Sequence, residues 1–382
     1  MKDVEKSIAK IFLEMASGLE NGSFSAKPKI ALTGMGSEHG EENAMKGALI
    51  AASKGIEVWY IGSLEAPGVI TLKVDNEEEG HKRMDELLDS GVVDGAVTMH
   101  YPFPIGVATV GRVVTPAAGK EMFIATTTGT SSAERVDGLV KNALYGISVA
   151  KAAGISSPRL GLLNIDGVRQ AEIVLNKMRE NGYNFQWAGS SRADGGAIMR
   201  GNDVLQGTAD VLVCDSLTGN VLMKMMSAYT TGGSFESSGY GYGPGIGKGY
   251  TKLVSIISRA SGAPVIANAL LYAADMVKGK LFSVAEEELS AAEKAGMEQL
   301  LLSKKRGEIS AGGEEIKCPP SEPCTASIPG IEITDLDDAA KVLWKAGIYA
   351  ETGMGCTGPL VMMSQANYER ATELLKAAGY IS

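Results

Sequence analysis

The sequence predicts an α/β protein: a mostly parallel, doubly wound sheet with a small α+β unit appended at its C-terminus. Three observations predict it. From Lys27 onward, short β-branched runs alternate with helix-patterned segments, as strands joined by crossover helices do. Several of those strands run into loops rich in glycine, hydroxyl or carboxamide groups, where folds of this kind place their sites. The alternation then stops at Cys318-Pro319-Pro320-Ser321-Glu322-Pro323-Cys324, and a shorter pattern follows it. The expected division is an N-terminal helix over 1–26, an α/β domain over 27–305, a proline-rich linker over 306–330 and a C-terminal unit over 331–382.

Val4, Ile8, Ile11, Phe12, Met15 and Leu19 recur at helical spacing among charged residues, which predicts an amphipathic helix and not a signal peptide. It docks on the protein's own core or on a partner subunit. Lys29–Thr33 reads as the first strand, and a helix follows over Glu41–Ser53. Ile56–Ile61 is the next strand, Glu77–Asp89 a helix and Asp94–Thr98 a strand. Met122–Thr126, Arg159–Asn164, Asn184–Ala188 and Asp210–Cys214 continue the series. The loops after Thr33, Thr126, Asn164 and Cys214 are expected to face one shared cleft. The glycine-rich stretch Gly232–Gly249 reads as a lid, as a plain loop, or as backbone amides (Gly243, Gly245 and Gly247) cradling an anion. A helical stretch is expected from about Tyr250, with helices over Pro264–Val277 and Ser283–Leu302. The tail reads as helix Leu336–Trp344, strand Gly347–Glu351, a turn at Cys356, strand Leu360–Met363 and helix Ala366–Ala377, capped by Ser364 or Gln365.

The formal charge of −9 over 382 residues argues against nucleic acid or an anionic membrane as the main partner. The most apolar long stretch, Pro264–Val277, is too short to span a bilayer. Cys214, Cys318, Cys324 and Cys356 show no CxxC spacing and the histidines number three, so no metal site is expected and reduced cytoplasmic thiols are.

Four motifs carry the chemistry. Gly353-Met354-Gly355-Cys356-Thr357-Gly358-Pro359 sets a thiol in a turn with almost no side-chain cover, where backbone N–H groups favour a thiolate and an acyl group can approach. Gly34-Met35-Gly36-Ser37-Glu38-His39-Gly40 follows a strand and opens a helix. It misses a dinucleotide fingerprint by one residue, yet its amides suit a phosphate, with His39 either assisting or a plain turn residue. In Asp215-Ser216-Leu217-Thr218-Gly219-Asn220-Val221-Leu222-Met223-Lys224 the Asn220 amide and the Lys224 ammonium fall four apart near a helix start. Either they converge on a phosphate oxygen, or Asp215 caps the helix and Lys224 is solvated. Thr126–Ser132 either lines the same cleft or caps the following helix, while Cys214 belongs to an apolar strand and reads as structural.

These segments resemble one family over most of the chain. Ile30–Gly40, Arg159–Asn164 and Ala209–Asp215 leading into Gly219-Asn220, Leu222 and Lys224 are similar to PlsX-type phosphate acyltransferases. Asp215-Ser216-Leu217 and Ser37-Glu38 depart from that pattern. The N-terminal helix, Gly241–Gly247, Ile257–Pro264 and Glu351–Pro359 resemble instead the alpha subunits of component C of glycine/sarcosine/betaine reductase. The resemblance implies a phosphotransacetylase-like or isocitrate-dehydrogenase-like fold and no redox cofactor. It implies that Cys356 carries an acetyl thioester, which inorganic phosphate cleaves to acetyl phosphate with Asn220 and Lys224 assisting. Gly34, Gly36, His39, Asp215, Gly219, Gly243, Gly245 and Gly247 line the phosphate or substrate site in this reading. The implied partners are a ketoacyl-synthase-like beta subunit and a selenoprotein bearing a carboxymethyl group, in a hetero-oligomer. The alternatives are a stand-alone acyl-carrier-protein phosphate acyltransferase and a non-catalytic scaffold subunit.

Overall fold

The structure, a computed structural model, describes residues 27–191, 195–302, 317–331, 335–355 and 358–381. β1 (Lys29–Thr33), α1 (Glu41–Ser53), β2 (Glu57–Gly62), β3 (Ile70–Lys73), α2 (Glu77–Asp89) and β4 (Gly95–Thr98) form a first parallel group. β1 is buried from Ile30 to Thr33, with an apolar centre of Ile30, Ala31 and Leu32, because helices cover both faces of the sheet. The Asn76 side chain starts α2 by accepting from the Glu79 N–H, with Glu77, Glu78 and Glu79 in the first turn. A hairpin of β5 (Ala108–Val114) and β6 (Glu121–Gly129) comes next, then α3 (Arg135–Ala152), β7 (Arg159–Leu163) and α4 (Val168–Glu180). The two-residue strands β8 (Gln186–Trp187) and β9 (Ile198–Met199) precede α5 (Gly201–Gln206), β10 (Val211–Val213) and α6 (Ser216–Ala228). The body closes with β11 (Gly243–Ile246), β12 (Val254–Ile256), α7 (Ala263–Lys278) and α8 (Leu281–Lys294).

The strands lie in the order β3-β2-β1-β4-β12-β11-β5-β6-β10-β7-β8, with β9 beside β7. Most junctions are parallel, as expected. β12–β11, β11–β5 and β5–β6 are antiparallel, and three reversals leave the two halves pointing in opposite directions. The carboxyl ends of β1, β4 and β12 therefore lie at the opposite edge from those of β6, β10 and β7. The single cleft expected after Thr33, Thr126, Asn164 and Cys214 is corrected accordingly: the last three loops meet, and the loop after Thr33 serves the other edge.

The expected lid over Gly232–Gly249 is also corrected. Residues 241–247 are buried, and β11 sits in the middle of the sheet with its backbone committed to β12 and β5. Gly243, at φ +83°, lies so close to β5 that a Cβ would stand 1.7 Å from the Val110 carbonyl oxygen. A Cβ at Gly245 would meet the Phe103 ring at 2.4 Å, and one at Gly247 the Gly106 carbonyl at 2.6 Å. Close packing, and not an anion, requires these glycines. No helix starts at Tyr250; the run Val254-Ser255-Ile256 is a strand paired with β4 through Val254–Ala96.

The C-terminal unit comprises β13 (Ala326–Pro329), α9 (Leu336–Lys345), β14 (Ala350–Gly355), β15 (Gly358–Met363) and α10 (Tyr368–Ala377). Its antiparallel sheet runs β13-β15-β14 over a separate core of Ile328, Leu343, Val361, Met363 and Leu375. Residues 326–329 are thus an edge strand and not the end of a linker. Neither Ser364 nor Gln365 caps the last helix. Ser364 Oγ accepts from Asn367 Nδ2 at 3.1 Å, and the Gln365 N–H donates to Thr325 Oγ1. The N-terminal helix expected over 1–26 lies outside the described residues.

Candidate active site

Strand β10 ends at Cys214 and hands the chain to α6. Asp215 caps that helix by accepting from the Thr218 N–H at 2.9 Å and the Thr218 hydroxyl at 2.7 Å. Gly219 then sits against β6, where a Cβ would stand 1.8 Å from the Thr126 carbonyl oxygen. Only glycine lets the helix start this close. Asn220 is held to the same strand, its Nδ2 donating to the Thr127 carbonyl at 3.2 Å. Cys214 is fully buried, and burial followed by the Asp215 charge pushes its thiol far above the ordinary range. It is an inert core group, as the sequence implied.

A cavity of about 550 Å³ opens where the ends of β6, β10 and β7 meet the starts of α3 and α6. Thr130, Ser131, Ser132, Asp166, Asp215 and Thr218 are among its lining groups. The Thr126 and Thr127 hydroxyls are instead spent inside the sheet, on the Thr109 and Tyr242 carbonyls at 2.6 and 2.7 Å. Asn142, also lining, donates its Nδ2 to the Cys214 carbonyl at 2.9 Å, while its buried Oδ1 has no hydrogen-bond partner among the described residues. Glu134, Asp166 and Asp215 face the cavity against Arg135, itself paired with Asp166 at 2.8 Å. That balance suits a neutral, hydrogen-bonding ligand better than a free phosphate.

α6 has 13 residues and is roughly 20 Å long, and it runs from this cavity back toward the opposite edge. There, one turn beyond Asn220, Lys224 Nζ lies 2.7 Å from Glu236 Oε1 and donates to Ser258 Oγ at 2.7 Å. Glu236 is 0% exposed and also accepts from the Tyr242 and Ser261 hydroxyls at 3.1 and 3.0 Å. Burial, then the Glu236 charge, raises Tyr242 well above the ordinary tyrosine range, so it stays a donor. Lys224 is half-exposed but not alone: its ammonium is paired with a buried carboxylate.

The Ser258 loop joins this cluster to the loop after β1. The Glu38 N–H donates to the Arg259 carbonyl at 2.9 Å, and Arg259 Nη1 donates to the Gly36 carbonyl at 3.1 Å. Arg259 Nη2 pairs with Glu77 at 2.6 Å. Lys224, Ser258, Arg259 and the Gly36–His39 segment thus gather at the ends of β1, β4 and β12. Beneath them Thr33 Oγ1 donates to Thr98 Oγ1 at 2.8 Å, and His81 Nε2 lies 3.1 Å from the same oxygen.

Several predicted ligands have other roles. The Gly34 N–H donates to the Ile61 carbonyl at 2.8 Å, and a Cβ there would stand 2.0 Å from the Tyr60 hydroxyl. Glu41 and Glu42 occupy the first turn of α1, and the Glu41 carboxylate already accepts from Tyr60, the Ser63 N–H and the Ser63 hydroxyl. The α1 start is therefore a poor anion site. His39 is exposed, with its ring edge-on to Phe235 at 5.9 Å. Asp215 and Gly219 serve the cap and the close approach described above. Cys356 lies outside the described residues, between strands whose ladder pairs Gly355 with Gly358.

Glu236, Ser258 and Arg259 were not among the site residues expected from sequence. Glu236 hides among the glycines of a segment that reads as a loop. Ser258-Arg259-Ala260-Ser261-Gly262 precedes a helix with proline in its first turn, a start signal that the expected helix at Tyr250 obscured.

A family model described as fatty acid synthesis protein matches residues 28–362. The alpha subunit of component C of the glycine/sarcosine/betaine reductase complex from Peptoclostridium acidaminophilum is 54% identical over 386 aligned positions, covering 100% of both chains. A phosphate acyltransferase from Lysinibacillus sphaericus is 25% identical over 252 residues, covering 54% of this chain and 73% of its own. A solved branched-chain phosphotransacylase from Enterococcus faecalis superposes with a TM-score of 0.42 at 16% identity, over 65% of this chain and 99% of its own.

Proposed function

We propose, because this chain belongs to the family of component C alpha subunits of glycine/sarcosine/betaine reductase and to the wider fatty acid synthesis protein family, that it transfers an acyl group from a thioester to inorganic phosphate. The acyl group is acetyl, carried on Cys356, and the product is acetyl phosphate. The observation that carries this reading is the Lys224–Ser258–Arg259–Gly36 cluster, where two cations and a glycine loop meet at strand ends.

The two cations play different parts. Lys224 is pinned by a buried carboxylate and is a fixed charge. Arg259 and Glu77 are both substantially exposed, 45% and 35%, and such pairs contribute only about 0–1 kcal/mol. Arg259 can therefore leave Glu77 for a phosphate oxygen. A phosphate oxygen then attacks the thioester carbonyl carbon. The C–O bond forms, the C–S bond breaks, and the electron pair leaves on sulfur as the Cys356 thiolate. The second Nδ2 hydrogen of Asn220 is the group proposed to stabilise the developing oxyanion. A carboxymethyl-bearing selenoprotein and a ketoacyl-synthase-like beta subunit are the partners of the proposed hetero-oligomer. No redox cofactor enters these steps.

Arsenolysis of acetyl phosphate tests the reading. The wild-type chain consumes acetyl phosphate when arsenate is present, Cys356→Ser does not, and Lys224→Gln is slowed by two orders of magnitude or more. Undiminished turnover in Cys356→Ser refutes the thiol's role, and activity only on acyl-carrier-protein thioesters points to the stand-alone alternative.

A further inference from the structure

A second cavity, about 480 Å³ in volume, lies at the same edge of the sheet as the first and shares Ser131 with it. It is bounded by the loop entering β5, by α3, by the loop leaving β11, and by α8 with the residues after it. Its walls are apolar, with Val107, Leu289, Met297 and Leu301 all buried there. Ile105 and Leu302 also line it, and at 83% and 60% exposed they mark its open side. The Lys224 cluster lies at the opposite edge, so this cavity is separate from the proposed acyl transfer.

Two lining side chains carry buried oxygens with no hydrogen-bond partner among the described residues, Asp137 Oδ1 and Tyr250 Oη. Folded proteins seldom leave such groups unpaired. Asp137 Oδ2 is already occupied, accepting from Ser132 Oγ at 2.6 Å and from Lys141 Nζ at 3.0 Å. Tyr250 is held in place, its ring edge-on to Phe103 at 6.0 Å and to Phe282 at 6.3 Å. Burial, before all else, keeps its hydroxyl protonated and so a donor. The ionic groups of the lining cancel, since Asp137 pairs with Lys141 at 3.0 Å and Lys248 with Glu298 at 3.6 Å.

We infer that this cavity binds an uncharged ligand with an apolar body and an N–H or O–H donor, the donor meeting Asp137 Oδ1. Neither sign of charge finds a free counter-charge there, so a charged ligand would lose its hydration without compensation. A carboxylate oxygen only accepts, which makes a donor the matching group. An apolar chamber of this size with a few polar groups that fix orientation is the usual build of a small-molecule site.

Fluorescence titration of the full chain with N-phenylnaphthylamine, an uncharged aromatic amine bearing one N–H, tests this independently of any activity. Saturable binding is expected, and excess inorganic phosphate should not displace the probe. Anilinonaphthalene sulfonate, which adds a charge to the same rings, should bind about tenfold more weakly, and the N-methylated amine about threefold more weakly. Ile105→Glu, a charge at the exposed mouth, should weaken the amine about fivefold with unchanged far-UV circular dichroism. Ile70→Glu, at an exposed apolar residue of β3, should bind it as the wild type does. Absence of saturable binding, displacement by phosphate, or equal affinity for the sulfonate or the N-methylated amine overturns the proposal. So does an Ile105→Glu variant that binds the amine undiminished.

Discussion

Replacing Lys224 by methionine should destabilise the protein more than replacing Glu236 by glutamine, although both break the same ion pair. Lys224→Met strands a carboxylate that is 0% exposed, and removing one partner of a buried pair costs about 3–5 kcal/mol. Glu236→Gln leaves behind a lysine side chain that is 45% exposed and can turn to water. The amide still accepts from Tyr242 or Ser261, so the loss there is about 1–2 kcal/mol. For a body of this size the larger figure corresponds to a fall in melting temperature on the order of 10 °C. Thermal and urea unfolding followed by circular dichroism measures both variants and the double variant. The double variant should be closer to Glu236→Gln than to the sum, a coupling above about 1 kcal/mol. Equal costs, or strict additivity, would refute the buried-anchor account of Lys224.

Glu77→Gln should free Arg259 and lower the KM for arsenate, which stands in for phosphate, about 2–5-fold, the equivalent of about 0.5–1 kcal/mol; an unchanged KM for arsenate in steady-state arsenolysis would remove Arg259 from the site. Gly219→Ala, whose Cβ would sit inside the Thr126 carbonyl, should cost about 3 kcal/mol or more by lifting α6 from β6, read as loss of soluble protein or of the unfolding midpoint. Burial raises Asp203, but hydrogen bonds from the Arg200 and Ser191 N–H groups and the Ser191 and Ser190 hydroxyls outweigh it and lower its pKa to about 2. A depressed carboxylate stabilises the fold above its unfolded pKa near 4, and that stability is lost as pH falls from about 5 toward 2. Stability of Asp203→Asn should accordingly fall less steeply across that window in urea titrations.

Where local pattern decides structure, the sequence was enough. The spans Lys29–Thr33, Glu41–Ser53 and Glu77–Asp89 are found as expected, because apolar period and turn residues agree there. Asp215 and Lys224 were placed near the helix start, but whether Lys224 is solvated or anchored depended on Glu236, twelve residues on and invisible to helical spacing. β11 was missed because glycine and proline carry no strand propensity; its place in the sheet comes from contacts with Val110 and Phe103, far away in sequence. The reversal between the halves of the sheet also escaped local reading, since three antiparallel junctions are a property of pairing and not of any one segment. Loops that looked equivalent were consequently assigned to one cleft.

The central claim is that Cys356 carries an acyl group which phosphate removes. Peptide mass mapping after incubation with acetyl phosphate tests it most directly. An acetyl group is expected on Cys356 that is lost on adding excess phosphate, with no label at Cys214 and much slower labelling of Cys356 in Lys224→Gln. An acetyl group that never forms on Cys356, or one that phosphate leaves in place in the wild type, would contradict it.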